Sequence, residues 1–195
     1  MPNLVVLAGP NGAGKSTLAP AVLQGTLGVE EFVNADVIAR GLSGFKPEGA
    51  AIQAGRIMLQ RLRELARQRM DFAFETTLAS RAFAPWIAVL IEDGYDFRLV
   101  YVWLPSADLC IARVADRVQA GGHHVPDDVV RRRYSGGLRN LFELYLPLAQ
   151  TWQAYDNTNI THSRLVADGH RGRTPIVYDE ARWSLIAGGR GDANC

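Results

Sequence analysis

The chain has 195 residues, 48% of them hydrophobic and 21% charged, and its 21 basic and 20 acidic side chains leave a formal charge of +1. That length supports one domain with a real core, and the cancelling charges exclude a global field that would draw in nucleic acid or anionic lipid. No apolar run approaches the ~20 residues of a membrane helix and no secretory leader is visible, so the expected location is the cytoplasm, with neither nucleic acid nor membrane as partner.

In chain order, the apolar run 4–8 reads as a buried strand. It opens into Gly9-Pro10-Asn11-Gly12-Ala13-Gly14-Lys15-Ser16-Thr17, which has the spacing of a phosphate-binding loop, and residues 16–24 follow as a helix. Glycines let successive backbone N–H groups surround a di- or triphosphate, and the helix N-terminus adds partial positive charge. Lys15 is placed to reach the β- and γ-phosphates, and the Ser16 hydroxyl to ligate Mg²⁺. A nucleoside triphosphate is the expected ligand.

A short β-like stretch, Glu31-Phe32-Val33-Asn34, then delivers Asp36 to a strand end, where ligands sit in open α/β sheets. Residues 47–69 carry apolar side chains at helical spacing, and the arginines on their other faces read as solvated. Residues 71–74 form a further strand ending on Glu75-Thr76-Thr77, and residues 85–92 return to helical spacing. The β-branched and aromatic run 97–104 is a strand closed by Pro105, after which Ser106 caps a helix carrying Arg113 and Arg117 to the break at Gly121-Gly122. Pro126 lies in the first turn of the next helix, which carries Arg131, Arg132 and Arg133. Residues 140–152 also read as helix. Residues 164–167 and 175–178 flank a turn and suggest a β-hairpin, and 188–195 a polar, flexible tail.

Strands alternating with helices imply βαβ units: an α/β, P-loop NTPase-type three-layer fold with a mainly parallel sheet, a helical lid and a C-terminal hairpin-like segment. One domain is expected over residues 1–187, with the lid at about 117–137. Cys110 and Cys195 make neither a disulfide framework nor metal-ligand spacing, and His123-His124 lack a third ligand, which leaves them as lid residues hydrogen-bonding phosphate.

Tyr134-Ser135-Gly136-Gly137-Leu138-Arg139 faintly echoes the signature of transporter ATPases, but no apolar strand ending in Asp-Glu follows it. No Asn-Lys-x-Asp motif marks a GTPase. A small phosphotransferase remains. It needs a carboxylate for the acceptor hydroxyl, groups that hold the acceptor, cations for the γ-phosphoryl charge and a cover against water. Asp36 is the candidate base, Glu75 with Thr76 and Thr77 the acceptor-binding group, and Arg117 with one of Arg131 to Arg133 the cations. Helical residues ~100° apart cannot all face one site, and Arg131, nearest the break, is chosen. A second class stays open: a nucleotide-binding regulatory or partner-binding module with slow ATP hydrolysis. A polynucleotide kinase would need a basic groove interleaved with aromatics, which is absent.

The P-loop, Asn34-Ala35-Asp36, Phe74-Glu75-Thr76-Thr77-Leu78 and Gly121-Gly122-His123-His124-Val125-Pro126 with Arg131-Arg132-Arg133-Tyr134 together resemble the zeta-toxin family of P-loop kinases, over roughly residues 3–185. The resemblance implies ATP and Mg²⁺ as cofactors and a nucleotide-sugar hydroxyl as acceptor, of the kind found in UDP-N-acetylglucosamine. It also implies a small helical antitoxin as partner. Motif by motif it makes Lys15 the phosphate lysine, Ser16 the Mg²⁺ ligand, Asp36 the base, Glu75 an acceptor-binding acid and Arg117 a phosphate-binding arginine. The family's second phosphate arginine has no counterpart at Gly121-Gly122-His123-His124, so a histidine or one of Arg131 to Arg133 takes its place.

Overall fold

The computed structural model describes residues 1–44, 47–122, 124–159 and 161–189. His123, Cys195 and the expected tail from residue 190 onward lie outside them. Seven strands form one sheet in the order β2-β3-β1-β4-β5-β6-β7. The strands are β1 Asn3–Ala8, β2 Glu31–Val33, β3 Phe72–Thr76, β4 Asp96–Trp103, β5 Thr151–Asp156, β6 Arg164–His170 and β7 Ile176–Val177. The first five are mutually parallel, β6 runs antiparallel to β5 and β7 antiparallel to β6, so the expected hairpin is present and closes one edge.

β1 is buried along almost its whole length because both its faces are covered. Leu4, Val6 and Ala8 join Phe72, Phe74, Phe97, Leu99, Tyr101 and Trp103 on one face. Helices α3 (Ala51–Arg67), α4 (Phe83–Glu92) and α8 (Glu180–Gly188) pack on that side. Val5, Leu7, Ala73, Val100 and Val102 face the other way, beneath α1 (Lys15–Ala19) and α5 (Ala107–Gln119). The result is the three-layer α/β arrangement expected from the alternating pattern.

Local chemistry explains the departures. The first helix is α-helical only to Ala19, because Pro20 has no N–H to continue the ladder; residues Pro20–Thr26 widen into a π-type turn with Leu27 N–H donating to the Val22 carbonyl at 3.1 Å. Asn34, expected in the second strand, is instead the N-cap of α2 (Ala35–Leu42), its Oδ1 accepting from the N–H groups of Asp36 at 2.8 Å and Val37 at 3.3 Å. Residues 140–152 are not one helix: a π-type turn at Leu141–Tyr145 and the short α7, Leu146–Leu148, lead directly into β5. Trp152 of β5 stacks on Trp183 of α8 at 5.4 Å between ring centroids, which ties down the last helix. Ser106 caps α5 as expected, accepting from Leu109 N–H at 3.1 Å.

Helix α6 spans Asp127–Asn140, with Pro126 just outside it rather than in its first turn. It is anchored at both levels of the sheet: Val130 and Leu138 are buried, and the Tyr134 hydroxyl donates to the Leu104 carbonyl at 2.8 Å. Asn140 Nδ2 donates to the Leu78 carbonyl at 2.7 Å. A lid running from 117 to 137 as one swinging body would have to pull Val130 out of the core and break the Tyr134 hydrogen bond, so the second half of the expected lid is packed against the core.

Candidate active site

The carboxyl ends of β1, β2, β3 and β5 converge on one cleft of about 300 Å³, lined by the phosphate loop, Asp36, Glu75, Arg113, Asp116, Arg117 and Asn157. Crossovers run from β1 to one side and from β4 to the other, and such a switch point opens a crevice in an α/β sheet. Gly9 shows why the loop begins with glycine: at φ 143° it lies so close to β4 that a Cβ would stand 2.1 Å from the Val102 carbonyl oxygen.

Lys15 is almost fully buried at 6% exposure, its Nζ donating to the Pro10 carbonyl at 2.9 Å and lying 3.5 Å from Glu75 Oε1. Glu75 is the hub. Level with Leu7 in the β3–β1 register, its Oε2 accepts from Ser16 Oγ at 2.8 Å and from Asn34 Nδ2 at 2.8 Å. One carboxylate therefore joins the phosphate lysine, the hydroxyl expected to bind metal and the cap of the helix that carries Asp36. The Ser16 and Glu75 oxygens are hard donors at nearly the ~2.9 Å edge of an octahedron with 2.0–2.1 Å metal–oxygen distances, so this pair fits Mg²⁺.

The cations divide differently from expectation. Arg117 lines the cleft. Arg131 does not: it is exposed and ion-paired with Asp108 at the start of α5. Two residues on, a change of direction of ~200° along the helix turns Arg133 inward. It is half-buried, with Nη1 3.4 Å from Asn11 Oδ1 of the phosphate loop. Burial pulls its pKa below the ordinary arginine value, with Arg132 adding to that and the Asp36 carboxylate opposing it. Thr76 and Thr77, expected to touch an acceptor, instead have hydroxyls accepting from the Leu78 and Ala79 N–H groups at 3.2 and 3.5 Å. They shape the loop in which buried Leu78 takes a left-handed backbone, φ 58°. Among the described residues no cluster of three or more His, Cys, Asp or Glu side chains is placed to hold a metal, and His124 is exposed.

Sequence reasoning missed Asn157 and the part Arg113 plays. Asn157, just past β5, donates from Nδ2 to the Ala13 carbonyl at 2.7 Å, and Arg113 donates to the carbonyls of Asn157 at 2.9 Å and Thr158 at 2.7 Å. An asparagine carries no motif, and the unread β5 hid its address. Cys110 lies buried behind the loop, where burial, outweighing Lys15 and Arg113, pushes its thiol up to about 12. It is unreactive there.

Residues 4–143 match the family described as AAA domain. An uncharacterized protein of Haemophilus influenzae is 29% identical over 130 residues, 67% of this chain and 91% of that one. Among solved structures, the AvrRxo1-ORF1:-ORF2 complex with ATP contains a similar chain, with TM-score 0.77 and 16% identity over 100% of this chain. This protein spans only 66% of that chain's length. The PezAT chromosomal toxin-antitoxin system of Streptococcus pneumoniae gives TM-score 0.63 at 17% identity, covering 97% of this chain and 84% of the other. The family match covers the phosphate loop, Asp36, Glu75 and the arginine helices, and the described fold carries them on the sheet edge where such loops bind nucleotide: the chain belongs to the AAA-domain family of P-loop proteins, with a domain of the P-loop kinase type.

Proposed function

We propose that the protein is a zeta-toxin-like phosphotransferase, moving the γ-phosphoryl group of ATP to a hydroxyl of a small acceptor, with a nucleotide sugar such as UDP-N-acetylglucosamine as the first candidate. The observation that carries this reading is the convergence of Lys15, Ser16, Asp36, Glu75 and Arg117 on one cleft. A switch that only binds nucleotide has no need of a second carboxylate, Asp36, beside the Glu75 that meets Ser16, and the fold is shared with a chain of the AvrRxo1-ORF1:-ORF2 complex crystallised with ATP and with a chain of the PezAT toxin-antitoxin system.

The triphosphate would lie along the loop N–H groups, with Lys15 released from Glu75 to the β- and γ-phosphates. Ser16 and Glu75 would hold Mg²⁺, which when bound offsets charge on the phosphate oxygens. Asp36, in the first turn of α2, would accept the acceptor proton as its oxygen attacks. Arg117 and Arg133, the latter in place of Arg131, would stabilise charge on the transferring group. An antitoxin partner belongs to the same reading and is supported by the likeness in fold to one toxin-antitoxin system.

³¹P NMR of the protein with ATP, Mg²⁺ and a panel of nucleotide sugars, sugars and nucleosides tests it. A new phosphomonoester resonance is expected with one acceptor class, and Asp36→Asn is expected to slow its growth roughly 10²-fold while ATP affinity stays within about twofold. Release of inorganic phosphate alone with every acceptor would instead identify a nucleotide-binding module with slow hydrolysis.

A further inference from the structure

We infer that Asn157 is a positioning residue of the phosphate loop, holding the peptide that joins Ala13 and Gly14 so that its N–H faces the bound anion. The inference rests on reading residues 9–17 as the nucleotide site.

Asn157 is buried and held at every polar group the structure describes. Its backbone N–H donates to the Trp103 carbonyl at 3.0 Å, at the end of β4. Its carbonyl accepts from Arg113 Nη1 at 2.9 Å. On the side chain, Oδ1 accepts from the Ser163 hydroxyl at 2.7 Å, which fixes the amide with its nitrogen toward the loop, and Nδ2 then donates to the Ala13 carbonyl at 2.7 Å. Trp103 of β4, Arg113 of α5 and Ser163 thus brace a single amide against a single loop peptide.

A peptide is planar and trans, so its C=O and N–H point in opposite directions. A carbonyl pinned outward by Asn157 therefore turns the Gly14 N–H toward the cleft, where an anion-binding loop needs its donors. Gly14 sits at φ 84°, and a Cβ there would stand 2.5 Å from Asn157 Nδ2, so the amide occupies the space that the missing side chain leaves. With Asn157 removed, the Ala13 carbonyl loses its partner, and the peptide can satisfy it by rotating toward the wet cleft. An oxygen would then face the phosphates in place of a donor. Anion affinity falls while the sheet behind the loop is untouched.

Isothermal titration of ADP into the full chain, with melting curves on the same samples, tests this. Asn157→Ala is expected to weaken ADP binding at least about tenfold. Ser163→Ala, which leaves the asparagine but frees its amide to turn, should weaken binding about threefold or more. Tyr95→Phe removes a hydroxyl that donates to the Ala66 and Met70 carbonyls at the opposite edge of the sheet, and should lower the melting temperature without changing affinity. Asn157→Ala binding ADP within about twofold of wild type would overturn the inference alone. If that variant does not fold, unchanged affinity in Ser163→Ala overturns it equally. A wild-type protein that binds no ADP would overturn the inference and the nucleotide reading together.

Discussion

At the scale of single residues, the phosphate loop was legible because it depends on spacing along the chain, and the places of Asp36 and Glu75 at the cleft were legible because each follows a readable strand. What the sequence concealed was pairing. Lys15, taken as an ordinary phosphate lysine, is buried against the Pro10 carbonyl and Glu75, so Lys15→Ala should abolish turnover and also cost roughly 1–3 kcal/mol of stability, read from urea midpoints. Turnover at the wild-type rate would remove the loop from the chemistry. The arginine run was legible as a group and misread in its phase: Arg131 lies nearest the break, yet a helix decides by angle, and Arg133 reaches Asn11. Arg133→Ala should slow transfer roughly tenfold or more, whereas Arg131→Ala, which breaks only an exposed pair, should stay within about twofold. Equal effects in a transfer assay would return both side chains to solvent.

At the scale of elements, the strongly periodic or β-branched segments declared themselves, and the mixed ones did not. In β5 the inward positions are Trp152, Ala154 and Asp156, too varied in polarity to show alternation, and α8 lay hidden behind the Trp152–Trp183 stack that holds it. Helix α6 illustrates how packing overrides propensity. Gly→Ala in an open helix gains up to about 1 kcal/mol, and Gly55→Ala in α3, with nothing within 4 Å of its Cβ, should show that gain in chemical denaturation. Gly137→Ala should show the reverse, a loss of roughly 1–3 kcal/mol, because its Cβ would lie 2.4 Å from the Thr77 carbonyl oxygen. A stabilised Gly137→Ala protein would mean that α6 does not press on the loop beyond Glu75.

At the scale of the whole molecule, the layer order followed from alternating strands and helices, while the exchange of partners between layers did not. Core burial also sets a pH limit. Cys110 and Tyr145 are both pushed to about 12 by burial, from ordinary values of 9.0 and 10.0. Between those values the unfolded chain gives up protons that the folded one keeps, so stability is intact below about pH 9 and is lost progressively as pH rises toward 12. Denaturant midpoints measured from pH 8 to 11 should fall, and Cys110→Ala should flatten the first part of that fall; a flat wild-type profile would contradict the burial of both groups.

The three residues of β2 pair with β3 alone, at the margin of the sheet, and yet Asn34 and Asp36 follow directly from them. Marginal strands open at lower free energy than central ones. The carboxylate assigned to the acceptor is thus mounted on one of the lightly moored parts of the protein, while the phosphate loop is built on the central β1. Asn34 and Glu75 form the tether between the two. On the proposed reading, a metal held by Glu75 would compete with Asn34 for that carboxylate and slacken the tether, so the acceptor side would gain freedom as the phosphate side became rigid: the two halves of the reaction centre would share one mooring line.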